Sequence, residues 1–166
     1  MSTEFGTWHH GLVARWWAEF NVAEPEELAY FGAAIRKFGE PALDLGCGTG
    51  RILFPLIAEG LDVDDVDISA DMIALAQAGA AKRGFKPKLT VQPMHELDIA
   101  RMYRTIYMCG AFGLGGRLDY DRRAFAMSQS RPATRAGRPP PSTARSPSWP
   151  TSNSAYRLGA VVATIC

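Results

Sequence analysis

The segment Asp44-Leu-Gly-Cys-Gly-Thr-Gly50 constrains this chain more than any other stretch. Glycines at alternate positions leave a turn without Cβ atoms, so backbone can approach a ligand closely. Pro41-Ala-Leu-Asp-Leu45 ahead of the loop reads as a short strand, and Arg51 to Glu59 behind it as a helix that stops at Gly60. Asp67 follows Gly46 by 21 residues and ends the next strand, near the roughly 20-residue interval at which a carboxylate reaches ribose hydroxyls. A nucleotide-like ligand at the carboxyl ends of two neighbouring strands is the expectation.

The flanking sequence extends this unit. Trp8, Val13, Trp16, Trp17 and Phe20 recur at roughly helical intervals and predict a short amphipathic helix over residues 8–20. Pro25 opens a second helix whose apolar stripe, Leu28, Phe31, Ile35 and Phe38, ends at Gly39. After the glycine loop, Leu61 to Asp67 reads as a strand, Ser69 as an N-cap, and Ala70 to Lys82 as a helix halted by Gly84. Leu89 to Gln92 and Thr105 to Cys109 supply a third and a fourth strand, each reached by a connection long enough for a parallel crossover. Strand and helix alternate, which predicts an α/β fold with a doubly wound, Rossmann-like parallel sheet.

Two ligand classes compete for the loop. Dinucleotide sites usually read G-x-G-x-x-G and leave the helix N-terminus open to a pyrophosphate. Here the spacing is G-x-G-x-G, and Asp44 places a carboxylate at the mouth, which repels an anion and suits a cation. ALDLGCGTG at 42–50, VDIS at 66–69 and the following Asp71-Met72 resemble the motifs of class I S-adenosylmethionine-dependent methyltransferases over about residues 25–115. That resemblance implies S-adenosylmethionine as cofactor, with its methionine end near Asp44 and Gly46, its body across Cys47 and Gly48, and its ribose on Asp67. It places Ile68 and Met72 beside the adenine. Gln92-Pro-Met-His-Glu96 stands where family members often carry an acidic adenine contact, which leaves Met94 and His95 as neighbours of that ring. Asp65 occupies a position where glycine is common, and Arg104 one where aspartate often precedes the fourth strand.

The acceptor pocket implied by the resemblance lies beyond the fourth strand and beneath the N-terminal segment, bordered by Cys109, Gly110, Ala111 and Phe112. Trp8, Trp16, Trp17 and Tyr30 offer an aromatic lid or, as the better reading of helical spacing, ordinary packing. His95 is the one histidine within the cofactor region, and lining the adenine pocket suits it better than acting as a base. No catalytic residue is assigned. In-line methyl transfer requires alignment of the acceptor and no metal; the adjacent pair His9-His10 lacks the partners of a metal site.

Charge divides the chain. Residues 1–121 hold 11 basic and 17 acidic residues, whereas residues 122–166 hold seven arginines and no acid. The division suggests a helical lid at 1–24, a partial cofactor-binding domain at 25–121, and a Pro/Arg/Ser-rich tail at 122–166, read as disordered or as the product of a shifted reading frame. The family's later strands, usually entered through a Pro-Gly-Gly turn, are not recognisable after Arg117, so the expected sheet is an incomplete 3-2-1-4. This leaves the fourth strand as an exposed edge open to self-association. The closing LGAVVATIC is β-prone and suited to pairing with such an edge. The tail's alternative role, as a basic arm for nucleic acid or an acidic partner, lacks the regular aromatic interleaving such arms show.

No apolar run approaches the roughly 20 residues that span a bilayer, the opening residues do not read as a secretory signal, and the three cysteines are widely separated. A cytoplasmic protein without membrane or nucleic-acid partners is the expectation. Three functions remain in view: methyl transfer to a small-molecule acceptor, a non-catalytic S-adenosylmethionine-binding module, and a dinucleotide-dependent oxidoreductase, which Asp44 disfavours.

Overall fold

A computed structural model of the chain describes residues 9–111, 119, 122–123 and 161–164. The expectations attached to Trp8, to Phe112 and to residues 124–160 lie outside the described residues. In chain order the elements are α1 (Gly11–Phe20), α2 (Pro25–Phe38), β1 (Ala42–Leu45), α3 (Leu53–Ala58), β2 (Val63–Asp67), α4 (Ala70–Arg83), β3 (Leu89–Val91), a 3-10 turn (Met94–Glu96), β4 (Thr105–Cys109) and β5 (Val161–Thr164). The strands form one sheet in the order β3-β2-β1-β4-β5, with every pairing parallel.

Local chemistry explains the helix boundaries. In α2, Pro25 fixes the first turn, Glu24 and Glu27 complete a capping box, and Arg36 and Lys37 sit at the negative end of the helix. In α4, the Ser69 hydroxyl accepts a hydrogen bond from Met72 N at 3.2 Å, and Gly84 turns left-handed at φ 71° to end the helix. α3 begins later than its apolar pattern suggests. Residues 48–52 are spent in turns, so Arg51 belongs to the loop.

Alternation along the strands sends Ala42, Val63, Leu89 and Tyr107 to one face, where Phe31 and Ile35 of α2, Leu53 and Leu56 of α3, and Ala76 and Ala80 of α4 cover them. Leu43, Leu45, Val66 and Met108 face the other way, against Met94, Leu97, Ile99 and Tyr103 from the segment between β3 and β4. Asp64 fastens that segment. Its carboxylate accepts from Arg101 Nη1 at 2.6 Å, from the Tyr103 hydroxyl at 2.8 Å and from Lys88 N at 2.8 Å.

The expectation that β4 is left as an edge strand is corrected. Ile106 to Cys109 pair in register with Val161 to Thr164, so β5 takes up the outer backbone groups of β4 and becomes the outer strand. The suitability of the closing apolar run for edge pairing is realised in parallel orientation. No helix among the described residues is long and apolar enough to cross a membrane.

Ser69 joins two helices, because its fully buried hydroxyl also donates to the His9 carbonyl at 2.6 Å, just ahead of α1. Ser69→Ala is expected to lower stability by about 1 to 2 kcal/mol. Urea unfolding measures it; an unchanged midpoint would show that the cap contributes nothing.

Candidate cofactor site

The loop after β1 bends back through residues that only glycine serves well. Gly46 has φ 80°, and a Cβ there would lie 2.4 Å from the Ala111 Cβ and 3.5 Å from Met94 Cε. Gly48, at φ 60°, lies open except for Trp17 Nε1 and the Met72 sulfur, 3.8 and 3.9 Å from where its Cβ would be. The loop is tied to β2 from end to end. Gly46 N donates to Val66 O at 2.7 Å, Gly48 N donates to Asp67 Oδ2 at 2.8 Å, and the Cys47 thiol donates to Asp65 Oδ2. Asp67 Oδ1 accepts from Ser69 N at 2.8 Å.

Of the residues singled out by sequence, Asp44, Gly46, Cys47, Gly48, Asp67 and Met72 converge at the carboxyl ends of β1 and β2, and Ile68 follows there, half-buried. Met94 reaches them by its contact zone at Gly46. His95 is buried in the 3-10 turn, with Nε2 3.6 Å from Glu96 Oε1. Cys109 stands at the end of β4 in a different set of contacts: Arg51 Nη2 donates to its sulfur at 3.1 Å, and its thiol lies 3.3 Å from Glu27 Oε1.

Arg51 and Glu27 stand beside the glycine loop, and sequence reading passed over both. The guanidinium meets Glu27 through both of its terminal nitrogens, Nη2 to Oε1 at 2.9 Å and Nη1 to Oε2, and pins the first turn of α2 to the glycine loop. A signal was present, since Arg51 is the only basic residue between Lys37 and Lys82. Of the aromatic residues read as packing or as a lid, Trp16, Trp17 and Tyr30 are described. Trp16 and Tyr30 are 56% and 51% exposed, and it is Trp17 that reaches the loop. α1 is held over this end of the sheet by the Ser69–His9 bond and by Gly11 N, which donates to Asp71 Oδ2 at 2.6 Å.

Electrostatics set this site apart from an ordinary strand end. Asp44, Asp65 and Asp67 are all buried on one face. Burial pushes the Asp44 carboxyl up from 3.8 to about 7, against the pull of the neighbouring Tyr107 hydroxyl and of Arg51. Burial also raises Asp65 and Asp67, in the latter case against the N–H groups of Ser69 and Gly48. Glu27 moves the opposite way, held down at about 2 by its hydrogen bonds to Arg51. An open backbone flanked by buried carboxylates fits a cationic nucleoside and repels a pyrophosphate. These shifts fix the sign of a pH effect. A carboxyl whose folded value lies above its unfolded one destabilises the fold as pH rises from about 4 to 7, so acidification from pH 8 to pH 5.5 is expected to raise the unfolding temperature. Asp44→Asn should flatten that rise, and a wild-type midpoint that falls between these values would contradict it.

Comparison with known proteins agrees with this geometry. A family profile described as "Methyltransferase domain" matches residues 42–129. A Geobacillus sp. (strain WCH70) protein with a provisional methyltransferase name is 40% identical over 63 residues, which are 38% of this chain and 26% of that protein. The ubiquinone biosynthesis O-methyltransferase of Cronobacter sakazakii is 30% identical over 92 residues, covering 51% of this chain and 38% of that enzyme. Among solved structures, the sugar N-methyltransferase KedS8 from Streptoalloteichus sp. superimposes with a TM-score of 0.60 at 20% identity, over 74% of this chain and 50% of that one. The chain thus spans well under half the length of these two curated relatives. With the glycine loop, the acidic strand ends and the 3-2-1-4 sheet order in place, the chain belongs to the methyltransferase-domain family and has the class I S-adenosylmethionine-dependent methyltransferase fold.

Proposed function

We propose that this chain binds S-adenosylmethionine across the Gly46–Gly50 loop and serves methyl transfer to a small-molecule acceptor in the cytoplasm. The observation that carries the reading is the bare backbone at Gly46 and Gly48, set between the buried carboxylates of Asp44 and Asp67. When bound, the cofactor would supply a sulfonium-activated methyl group, open to in-line attack by an acceptor with the neutral thioether as leaving group. The chain's own contribution is placement. Asp44 faces the cationic end, Asp67 is positioned for ribose hydroxyls, and Ile68, Met72, Met94 and His95 surround the position of the base. Two relatives are named for O-methylation in ubiquinone biosynthesis and N-methylation of a sugar, and both names point to small acceptors.

A second reading, a cofactor-binding module without catalysis, draws support from residues 122–166, whose seven arginines and lack of acids depart from the family's later strands. A shifted reading frame accounts for that composition. Sequencing the parent gene tests it, and an intact frame would refute it.

Calorimetric titration with S-adenosylmethionine, and with NAD in parallel, tests the main proposal. The wild type is expected to bind the sulfonium compound and not NAD. Asp44→Ala and Asp67→Ala should each weaken binding by tenfold or more with the circular dichroism spectrum retained. Gly46→Ala, which drives a Cβ into Ala111, should remove binding. NAD binding with indifference to S-adenosylmethionine would overturn the assignment. Transfer of radiolabelled methyl to a panel of phenols, amines and sugars separates the enzyme from the silent module.

A further inference from the structure

Asp44 and Asp65 are partners in the β1–β2 register, so they lie on the same face of strands about 4.8 Å apart. They are 2% and 1% exposed. The other carboxylates of this region have their own compensation. Asp67 takes two backbone N–H groups, and Asp64, on the opposite face, takes Arg101, Tyr103 and Lys88 N. Asp44 has the Tyr107 hydroxyl on its β4 flank, but that buried hydroxyl makes no hydrogen bond. Asp65 receives the Cys47 thiol on Oδ2, while its buried Oδ1 has no hydrogen-bond partner.

The groups facing the pair do not neutralise it. The loop contributes Cys47, β2 contributes Asp67, with Asp64 acting on Asp65 only from the opposite face, and β4 contributes Tyr107. Arg51 acts on Asp44 from a distance but is bound at both terminal nitrogens by Glu27 of α2, and His9 acts on Asp67. α4 presents Met72 and Ala76, which carry no charge. Burial and mutual repulsion between adjacent carboxylates disfavour their double ionisation. A proton on Asp65 Oδ1 turns an orphaned acceptor into a donor and removes one charge.

We propose that Asp65 is a positioning residue of the cofactor site: it shares one proton with Asp44 beneath the glycine loop, and a cationic nucleoside arriving on the loop expels that proton. This rests on the S-adenosylmethionine reading above. Burial and mutual repulsion raise both carboxyls, which is consistent with a retained proton. A positive charge beside Asp44 favours the doubly ionised pair, so the proton leaves to solvent as the cofactor binds, and affinity strengthens as pH rises.

Two measurements test it. In the ligand-free protein, carbon-13 NMR of the aspartate carboxyls is expected to show Asp44 and Asp65 titrating as a coupled pair with one step above pH 6; independent titration of both below pH 5 would overturn the proposal. Calorimetry with S-adenosylmethionine at pH 7 in phosphate and in Tris reads proton release directly. The wild type should release up to one proton per cofactor, and its Kd should tighten by up to tenfold per pH unit below the pair's upper step. Asp65→Asn, isosteric with the protonated acid, should bind without release and with a flat pH profile. Cofactor binding by the wild type without proton release, or equal release by the variant, defeats the coupling and leaves the functional assignment standing. A coupled pair in the NMR spectrum combined with no binding of S-adenosylmethionine defeats that assignment, and the coupling with it.

Discussion

One carboxylate holds the ligand end of this sheet together. Asp67 accepts from Gly48 N with one oxygen and from Ser69 N with the other, at 2.8 Å each, and so links the loop after β1 to the start of α4. Ser69 passes the connection on to α1 through the His9 carbonyl. Hydrogen bonds to an ionised acceptor contribute about 1.5–3 kcal/mol each, enough to decide the shape of a loop made largely of glycine. An ionised carboxylate has about four acceptor sites, so two N–H donors do not exhaust it. Asp67 can therefore keep the loop in shape and still offer lone pairs to ribose hydroxyls.

The same end of the sheet carries an electrostatic burden. Asp44, Asp65 and Asp67 are buried side by side, and the nearest guanidinium, that of Arg51, is committed to Glu27. A core chosen for stability alone would place apolar side chains on these strands, since burying an unpaired charge is costly. What the arrangement provides is a set of acidic groups under an open backbone, in place before any ligand arrives. The pairing of Arg51 with Glu27 also ties the N-terminal turn of α2 to the glycine loop.

How much of this was legible in the sequence depends on how far apart the partners lie. The glycine loop, the Ser69 cap and the Gly84 stop are local, and each was readable because a few adjacent residues determine the backbone there. Asp67 was readable through its spacing, because one strand-helix-strand unit has a nearly fixed length. The Glu27–Arg51 pair was not, because 24 residues and a helix packing angle separate the two ends. Nor was the role of Tyr107, which reads as one more strand aromatic until the register sets it opposite Asp44. Helical spacing identified the tryptophans of α1 but not their phase, and only docking on α4 distinguishes Trp17, at the loop, from Trp16, on the surface.

The pairing of β5 separates what the sheet needs from what the site needs. β4 requires a partner for its outer backbone groups, and Val161 to Thr164 meet that need with main-chain hydrogen bonds that many β-prone segments could supply. Asp44, Asp67 and the glycine loop, by contrast, sit on β1 and β2, two and three strands inward from β5 in the sheet order. The cofactor end is thus closed by interactions local to β1, β2, α4 and the first turns of α1 and α2. Closing the sheet at β4 asks for backbone alone, whereas recognising an acceptor asks for particular side chains, so a strand that achieves the first carries no information about the second.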